Sequence, residues 1–442
     1  MSYEKKLLQM KALVKKNVPK EEPKKKDSEV TLPFYTESWE QAGLKLIKND
    51  FGYLFMKETF YSKEHIHGNV ALNKLEDAIT FMQRSYPNHP LTIAENHPFC
   101  FYDTETTGLK GTGVLIFLNG LLKEVSNGLL LTQHVLADPG QEAAFLFASD
   151  FWKTSQTLIT YNGKSFDYPQ LESRWVMNRN VIPKLKSHEQ IDLLHSSKRV
   201  WKGELERFKL IQVEEYKLDF IRKDDIPGHL APIIYFDSVK HGNPNNLMKV
   251  LKHNEWDILS LVALYIKTVD LLKEKEITES AVTYTNIGKW FQDLKTTDTS
   301  FEWFQFITGH FPSENVSMAY YYLGLHLKRR RFMEESIDAF QQSLVEISGK
   351  YKMDVYVELA KLYEHQKKDY DLALEMTQQS LLYLEELGEI LKPSKIIQLR
   401  QELQRRNERI IRKRNISRES AELNKKRVGK PQIAPISDTN ML

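Results

Sequence analysis

Four acidic side chains and one histidine, scattered over three short segments, are the residues here whose types and spacing could do chemistry. The first segment is Phe101-Tyr102-Asp103-Thr104-Glu105-Thr106-Thr107-Gly108. In a strand, side chains alternate between faces, so Asp103 and Glu105 project to the same side. Two carboxylates at a strand end repel each other and are costly to desolvate. Divalent cations would neutralise them, and Gly108 lets the chain turn away. The second segment is Tyr161-Asn162-Gly163-Lys164-Ser165-Phe166-Asp167-Tyr168-Pro169, where a strand ends in a turn and Asp167 opens a helix. An acid suits a helix start, and it brings a third carboxylate beside the strand carrying the first two. The third is His253-Asn254-Glu255-Trp256-Asp257-Ile258-Leu259-Ser260-Leu261. There His253 and Asp257 are one helical turn apart on one face, with Leu247, Val250, Leu251, Ile258 and Leu261 turned to the core.

Asp103, Glu105, Asp167 and Asp257 form an all-oxygen donor set, which selects hard cations: two Mg²⁺ or Mn²⁺ ions rather than zinc. Such a site supports in-line phosphodiester hydrolysis, with two metals roughly 3.5–4 Å apart clamping the attacking and leaving oxygens. His253, one turn from Asp257, is placed to take a proton from an attacking water.

The surrounding elements must bring these segments together. A short buried strand is predicted over residues 99–103, with two more over 114–122 and 129–136 joined by Ser126-Asn127-Gly128. A helix over 142–152, a strand over 157–161, a helix over 167–177 and a strand over 189–194 follow. A long amphipathic helix over 246–273 opens after Gly242-Asn243-Pro244-Asn245. Three strands, then alternating helices and strands, is the order of an RNase-H-like α/β fold: a mixed five-stranded sheet flanked by helices.

After about residue 280 the strand signal disappears. Gly288, Gly324 and Ala360 recur every 36 residues, close to the period of about 34 of tetratricopeptide-type repeats. An all-α helical-repeat domain is expected, its first unit (284–311) degenerate. The expected organisation is a basic arm over 1–30, a lead-in of short aromatic strands and a helix near 75–84 packed on the next domain over 31–95, the nuclease-like domain over 96–275, repeats over 280–395, and a basic helix with a disordered tail over 396–442.

The three acidic segments resemble the Exo I, Exo II and Exo III motifs of the DEDD exonucleases, and within that superfamily the YprB-type bacterial enzymes. The likeness runs from about Tyr102 to Ile266. It includes Asp192-Leu193-Leu194-His195, Arg199-Val200-Trp201-Lys202 and Asp224-Asp225-Ile226-Pro227-Gly228. The resemblance implies metal ligation by Asp103, Glu105, Asp167 and Asp257, with His253 as general base. It implies 3′→5′ trimming of DNA in repair, and a protein partner such as a helicase for the repeats. One departure stands out. The base of the histidine branch usually lies five residues before the last Asp, where this chain has Lys252. His253 is four before it, the place a Tyr takes in the other branch.

Composition sets outer bounds. The chain has 442 residues, room for two or three domains, and its 41% apolar and 27% charged content is that of a globular protein. A net charge of +3 does not by itself point to nucleic acid. A single cysteine, Cys100, excludes a disulfide framework and a cysteine-rich zinc site. No apolar stretch approaches the roughly 20 residues of a membrane span, and no signal-peptide core follows the first methionine. A cytoplasmic location is the expectation.

Several residues admit two readings. Asp192 either supports the site from behind its ligands or is simply a strand-end acid. Asn162 either bonds substrate or caps its own turn, and Thr106 either meets the terminal nucleotide or shapes its loop. Arg199, Trp201 and Lys202 suit single-strand stacking and phosphate contact, or a core Trp with snorkelling cations. His65, His67, His195 and His241 lack metal-ligand spacing. The run Arg405, Arg406, Arg409, Arg412, Lys413 and Arg414 either tracks a phosphate backbone or is a solvated helix face. The alternatives to a DNA exonuclease are an RNase or endonuclease using the same carboxylates, or a catalytically silent nucleic-acid-binding scaffold.

Overall fold

The computed structural model describes residues 31–108, 111, 113–273, 275–312, 315–389 and 392–428. The predicted arm over 1–30 and the end of the predicted tail lie outside these residues. The chain divides into two compact units between Thr278 and Glu279.

The first unit opens with α1 (Thr36–Gln41), β1 (Lys45–Asn49) and β2 (Gly52–Ser62). A small hairpin, β3 (Ile66–His67) and β4 (Val70–Ala71), leads to α2 (Leu75–Ser85). Next come β5 (Phe99–Thr106), β6 (Ile116–Val125) and β7 (Gly128–Val135), then α3 (Glu142–Ala148) and β8 (Thr157–Thr160). The unit finishes with α4 (Asp167–Met177), β9 (Glu189–Asp192), α5 (Leu193–Val200), α6 (Leu210–Lys217), α7 (Ala231–His241) and the 29-residue α8 (Asn245–Lys273).

Seven strands form one mixed sheet in the order β1-β2-β7-β6-β5-β8-β9. Pairing is antiparallel from β1 to β5 and parallel across β5-β8-β9. The five strands expected from 99 onward are all present, but the sheet is not five-stranded. β2 pairs with β7 from Phe55↔Val135 to Ser62↔Gly128, and β1 pairs with β2. The lead-in therefore covers an edge that would otherwise expose unpaired backbone. Its Tyr35, Trp39 and Phe55 enter the same apolar core as Tyr102, Phe117 and Val135. The strand expected over 189–194 stops at Asp192, because that carboxylate accepts Leu194 N at 3.1 Å and starts α5.

The long helix α8 lies against β5 and β6, burying Leu247, Val250, Leu251, Ile258 and Leu261. Gly120, opposite Asp103 in the β5–β6 register, makes this approach possible. A Cβ there would fall 2.2 Å from Ile258 Cδ1 and 2.3 Å from Asn254 Oδ1.

The second unit is helical: α9 (Ala281–Asp293), α10 (Thr297–His310), α11 (Ser317–Arg329), α12 (Met333–Ser343), α13 (Gly349–Leu362), a π-turn (Tyr363–Lys367), α14 (Tyr370–Glu386) and α15 (Pro393–Val428). The 36-residue spacing is a packing repeat. Ser300 Oγ donates to Gly288 O and Ser336 Oγ to Gly324 O, both at 2.9 Å. Each glycine lies under a phenylalanine, Phe304 or Phe340, which an added Cβ would meet at 2.8 Å. The third pair departs at this joint, with Ala360 and Leu372 at the equivalent places. No helix among the described residues is long and apolar enough to cross a membrane.

Candidate active site

The site forms where β5 runs past the end of β8. Ladder pairing between them ends at Phe101↔Ile159, so the β5 backbone beyond needs other partners. Asp167, buried at the start of α4, supplies one: its Oδ1 accepts Thr104 N at 3.2 Å and Thr104 Oγ at 2.5 Å. The third carboxylate is thus fixed to the residue between the first two. Burial pushes the Asp167 carboxyl up to about 6, with the Thr104 hydrogen bonds pulling the other way.

Asp103 and Glu105 share one face of β5. Asp103 Oδ2 accepts Asn254 Nδ2 at 2.8 Å, and Asn254 Oδ1 accepts Gln133 Nε2 at 2.9 Å. A buried amide relay from β7 through α8 therefore holds Asp103. Burial, then the nearby charges of Asp257, Asp167 and Glu105, push the Asp103 carboxyl well above its usual range against the Asn254 bond. Burial also raises Glu105, aided by Asp257, Asp167 and Asp225 and opposed by Arg222. Crowded carboxylates of this kind favour a proton or a cation among them.

His253 and Asp257 project from α8 as one turn should. Ligand atoms of Glu105, His253 and Asp257 all lie within 4.8 Å of one another, close enough to share a cation. His253 Nε2 is 3.4 Å from Asp257 Oδ2 and 4.0 Å from Glu105 Oε1. Lys252, at the position where the histidine branch would place its base, turns instead to Glu255 Oε1 at 2.5 Å and lies over the Trp256 ring.

Arg222 joins the group from the loop after α6. Its guanidinium, 2% exposed, bonds Glu214 through Nε and Nη2 at 2.7 and 2.6 Å, reaches Asp225 at 3.2 Å, and donates from Nη2 to Asp257 Oδ1. One oxygen of Asp257 is thereby committed to Arg222, while the other faces His253. Neither Arg222 nor Glu214 carried any local signal in sequence. Asn254 did: it falls in the apolar stripe 247, 250, 251, 258, 261, and a polar residue there must serve something inside.

The remaining positions are placed elsewhere. Asp192 accepts the amides of Asn162 and Lys164 at 2.8 and 3.2 Å, pinning the turn that delivers Asp167. Asn162 is itself in the left-handed region (φ 65°) and its carbonyl closes that turn. Thr106 is buried and donates to Gly108 O at 2.9 Å, so it shapes its loop. Trp201 is fully buried, which removes it as a stacking platform, while Arg199 and Lys202 beside it are exposed. His67 is a packing residue 2.7 Å from Ser260 Oγ, and burial holds it down to about 3. His195 lies 3.9 Å from Asp192 and His241 pairs with Asp237 at 3.0 Å, both on the surface. His65 packs on the Tyr61 ring.

Residues 100–269 match the RNase_H superfamily, and that span holds every residue of the acidic group. The Bacillus subtilis protein YprB is 36% identical over 358 residues, covering 79% of this chain and 85% of its own length. The chain belongs to the YprB family. As a member of the RNase H superfamily through its first unit, this YprB-family chain has a nuclease-type domain, which supports a nucleic-acid-cleaving role. Enzymes of that superfamily typically use divalent metals, and the acidic group provides a place for one. A solved structure titled "Crystal structure of MamA" aligns over 45% of this chain and 99% of its own, at 16% identity and a TM-score of 0.21, too low a score to bear on the fold.

Proposed function

We propose that this YprB-family chain is a metal-dependent 3′→5′ exonuclease that hydrolyses phosphodiester bonds of DNA. The observation that carries the reading is the meeting of Glu105, Asp257 and His253 within 4.8 Å, beside Asp103 and Asp167. The donor set fits hard divalent cations. It offers oxygen ligands and one imidazole, no thiolate, and two carboxyls, Asp103 and Glu105, that burial and the neighbouring acids Asp257 and Asp167 raise well above their usual range. Asp103, Glu105, Asp167 and Asp257 would hold two Mg²⁺ or Mn²⁺ ions, which when bound polarise the phosphate and neutralise developing charge.

The chain's own residues do the rest. Asp225 Oδ1, at 2.7 Å from His253 Nδ1 against 3.3 Å for Arg222 Nη1, is the nearer partner and as a carboxylate accepts Nδ1–H, which fixes the ring and leaves the Nε2 lone pair toward the carboxylates. Nε2 is then the atom that takes a proton from an attacking water. Asn254 holds Asp103, Thr104 holds Asp167, and Arg222 holds Asp257, so the acids are positioned before substrate arrives. The 3′→5′ polarity, the preference for DNA over RNA and a role in repair follow the resemblance of the three acidic motifs to DEDD exonucleases. The helical second unit is assigned the recruitment of a protein partner, a helicase being the class that resemblance implies, and the protein is assigned to the cytoplasm.

The test is cleavage of 5′- and 3′-end-labelled DNA and RNA with Mg²⁺, Mn²⁺ or EDTA, beside Asp103→Ala. Metal-dependent laddering of 5′-labelled DNA, lost in the variant, is expected. Internal cuts, a preference for RNA, or activity that survives the substitution would replace this reading.

A further inference from the structure

The second unit contains a cavity of about 470 Å³, a size that admits a ligand, and its walls are cationic. Lys328, Lys361, Arg406, Arg409 and Lys413 line it together with His365, and no carboxylate lines it among the described residues. The elements explain the clustering. On α15, Leu403 and Ile410 are buried, which seats the helix on its neighbours. Arg406, Arg409 and Lys413, at three- and four-residue steps, then share the inward side.

Behind the wall stand two acids. Glu364, fully buried on the π-turn, accepts Arg409 Nε at 2.9 Å, Arg409 Nη2 at 2.8 Å and Lys413 Nζ at 2.9 Å, with Arg406 Nη1 at 3.5 Å. Glu358 accepts Lys361 at 2.5 Å and also Lys328. Five cations thus face two carboxylates, a surplus of three positive charges. Burial and the neighbouring Arg409 push the Arg406 guanidinium downward, the mark of a crowded positive site that an anion would relieve. A π-turn is an irregularity of a kind frequent at functional sites.

We infer that this cavity binds the phosphate backbone of a nucleic-acid strand, whose phosphate oxygens compete with Glu364 for Arg409 and Lys413. Guanidinium forks match phosphate geometry. The positive charge also continues beyond the cavity, through exposed Arg405 and Arg412 on the same helix, which suits a polymer more than a small anion. The choice of nucleic acid over an acidic polypeptide rests on the nuclease reading of the first unit.

The test uses the full chain in EDTA, where no cleavage occurs. Binding of fluorescein-labelled single-stranded DNA and RNA oligonucleotides is followed by anisotropy between 50 and 200 mM salt, with the range chosen for its steep backbone term. Glu364→Gln, which frees Arg409 and Lys413, should tighten binding severalfold. The neutral triple variant Glu364→Gln, Arg409→Gln, Lys413→Gln should weaken it about tenfold and flatten the log–log salt slope by about 0.7 for each phosphate no longer neutralised. Opposite shifts in two variants of similar thermal stability cannot come from unfolding. Unchanged binding in both, or displacement of the oligonucleotide by polyglutamate at lower charge concentration, would overturn the inference. Hydrolysis of the p-nitrophenyl ester of thymidine 5′-phosphate by the wild-type chain with Mn²⁺ tests the nuclease reading separately. A cleaved ester with unresponsive variants rejects only the cavity, and responsive variants with an uncleaved ester reject only the nuclease.

Discussion

His253 Nδ1 lies 2.7 Å from Asp225 Oδ1, and this contact decides which ring nitrogen faces the acidic group. With Nδ1 bonded to Asp225, Nε2 is the atom presented at 3.4 Å to Asp257 and 4.0 Å to Glu105. A neutral imidazole in that orientation is a proton acceptor where the acids converge. His253→Ala is therefore expected to lower kcat by about 10²–10⁴-fold with little loss of DNA affinity. Asp225→Asn, which keeps the shape but loses the charge, is expected to lower kcat by about 10–100-fold at similar KM, as for other groups that orient a site imidazole. Steady-state kinetics on a labelled oligonucleotide read both. A wild-type rate in His253→Ala would move the proton transfer to another group.

Removing a carboxylate should separate activity from stability. Asp103 is raised by burial and three neighbouring acids, so its ionised form works against the fold when no cation is bound. Asp103→Asn keeps the contact with Asn254 and removes a charge. Metal-dependent cleavage should fall below detection while Tm in EDTA rises, by about 2–4 °C per kcal/mol of relieved repulsion in a unit this size. A lowered Tm in EDTA would mean that the acids are better accommodated than their crowding implies.

The metal-free protein should also lose stability as pH rises. A carboxyl raised in the folded state favours folding while protonated, and that contribution disappears as pH climbs from the unfolded value to the folded one. For Asp167 the window runs from 3.8 to about 6, and for Asp103 and Glu105 it extends higher. In EDTA, urea midpoints should fall across this range. Saturating Mn²⁺ should flatten the profile by binding the ionised acids. A flat profile in EDTA would contradict the burial of these groups.

Arg222 is expected to be a fold-critical cation. Its guanidinium is shared among Glu214, Asp225 and Asp257, and Glu214 is itself fully buried. Arg222→Gln would leave a buried carboxylate uncompensated, at a cost of about 3–5 kcal/mol. Adding Glu214→Gln should recover most of that loss, and chemical denaturation of the single and double variants measures the coupling. Simple additivity would show that the pair does not act as a unit.

The acidic set was legible because strand and helix periodicities are local. Alternation put Asp103 and Glu105 on one face, and a helical turn put His253 beside Asp257. The order of elements from 99 onward gave the fold class. Short strands were legible in the lead-in, but that β1 and β2 extend this same sheet was not, since nothing local in β1 or in the aromatic β2 names the edge of β7 as its partner. Trp201 was not assignable between core and surface from sequence, because its full burial depends on packing beyond its own helix.

By itself, the sequence determined which residues could ligate a cation and which elements carry them, because side-chain chemistry and backbone period act over a few residues. Tertiary structure alone decided what holds them: Asn254 and Gln133 behind Asp103, Asp225 behind His253, and Arg222 between Glu214 and Asp257. Those partners are 28 to 151 residues from the groups they hold, apart from Arg222 and Glu214, which are 8 apart across a loop. Pairing at such separations is set by the closure of the whole sheet under α8, and no periodicity in the chain encodes it.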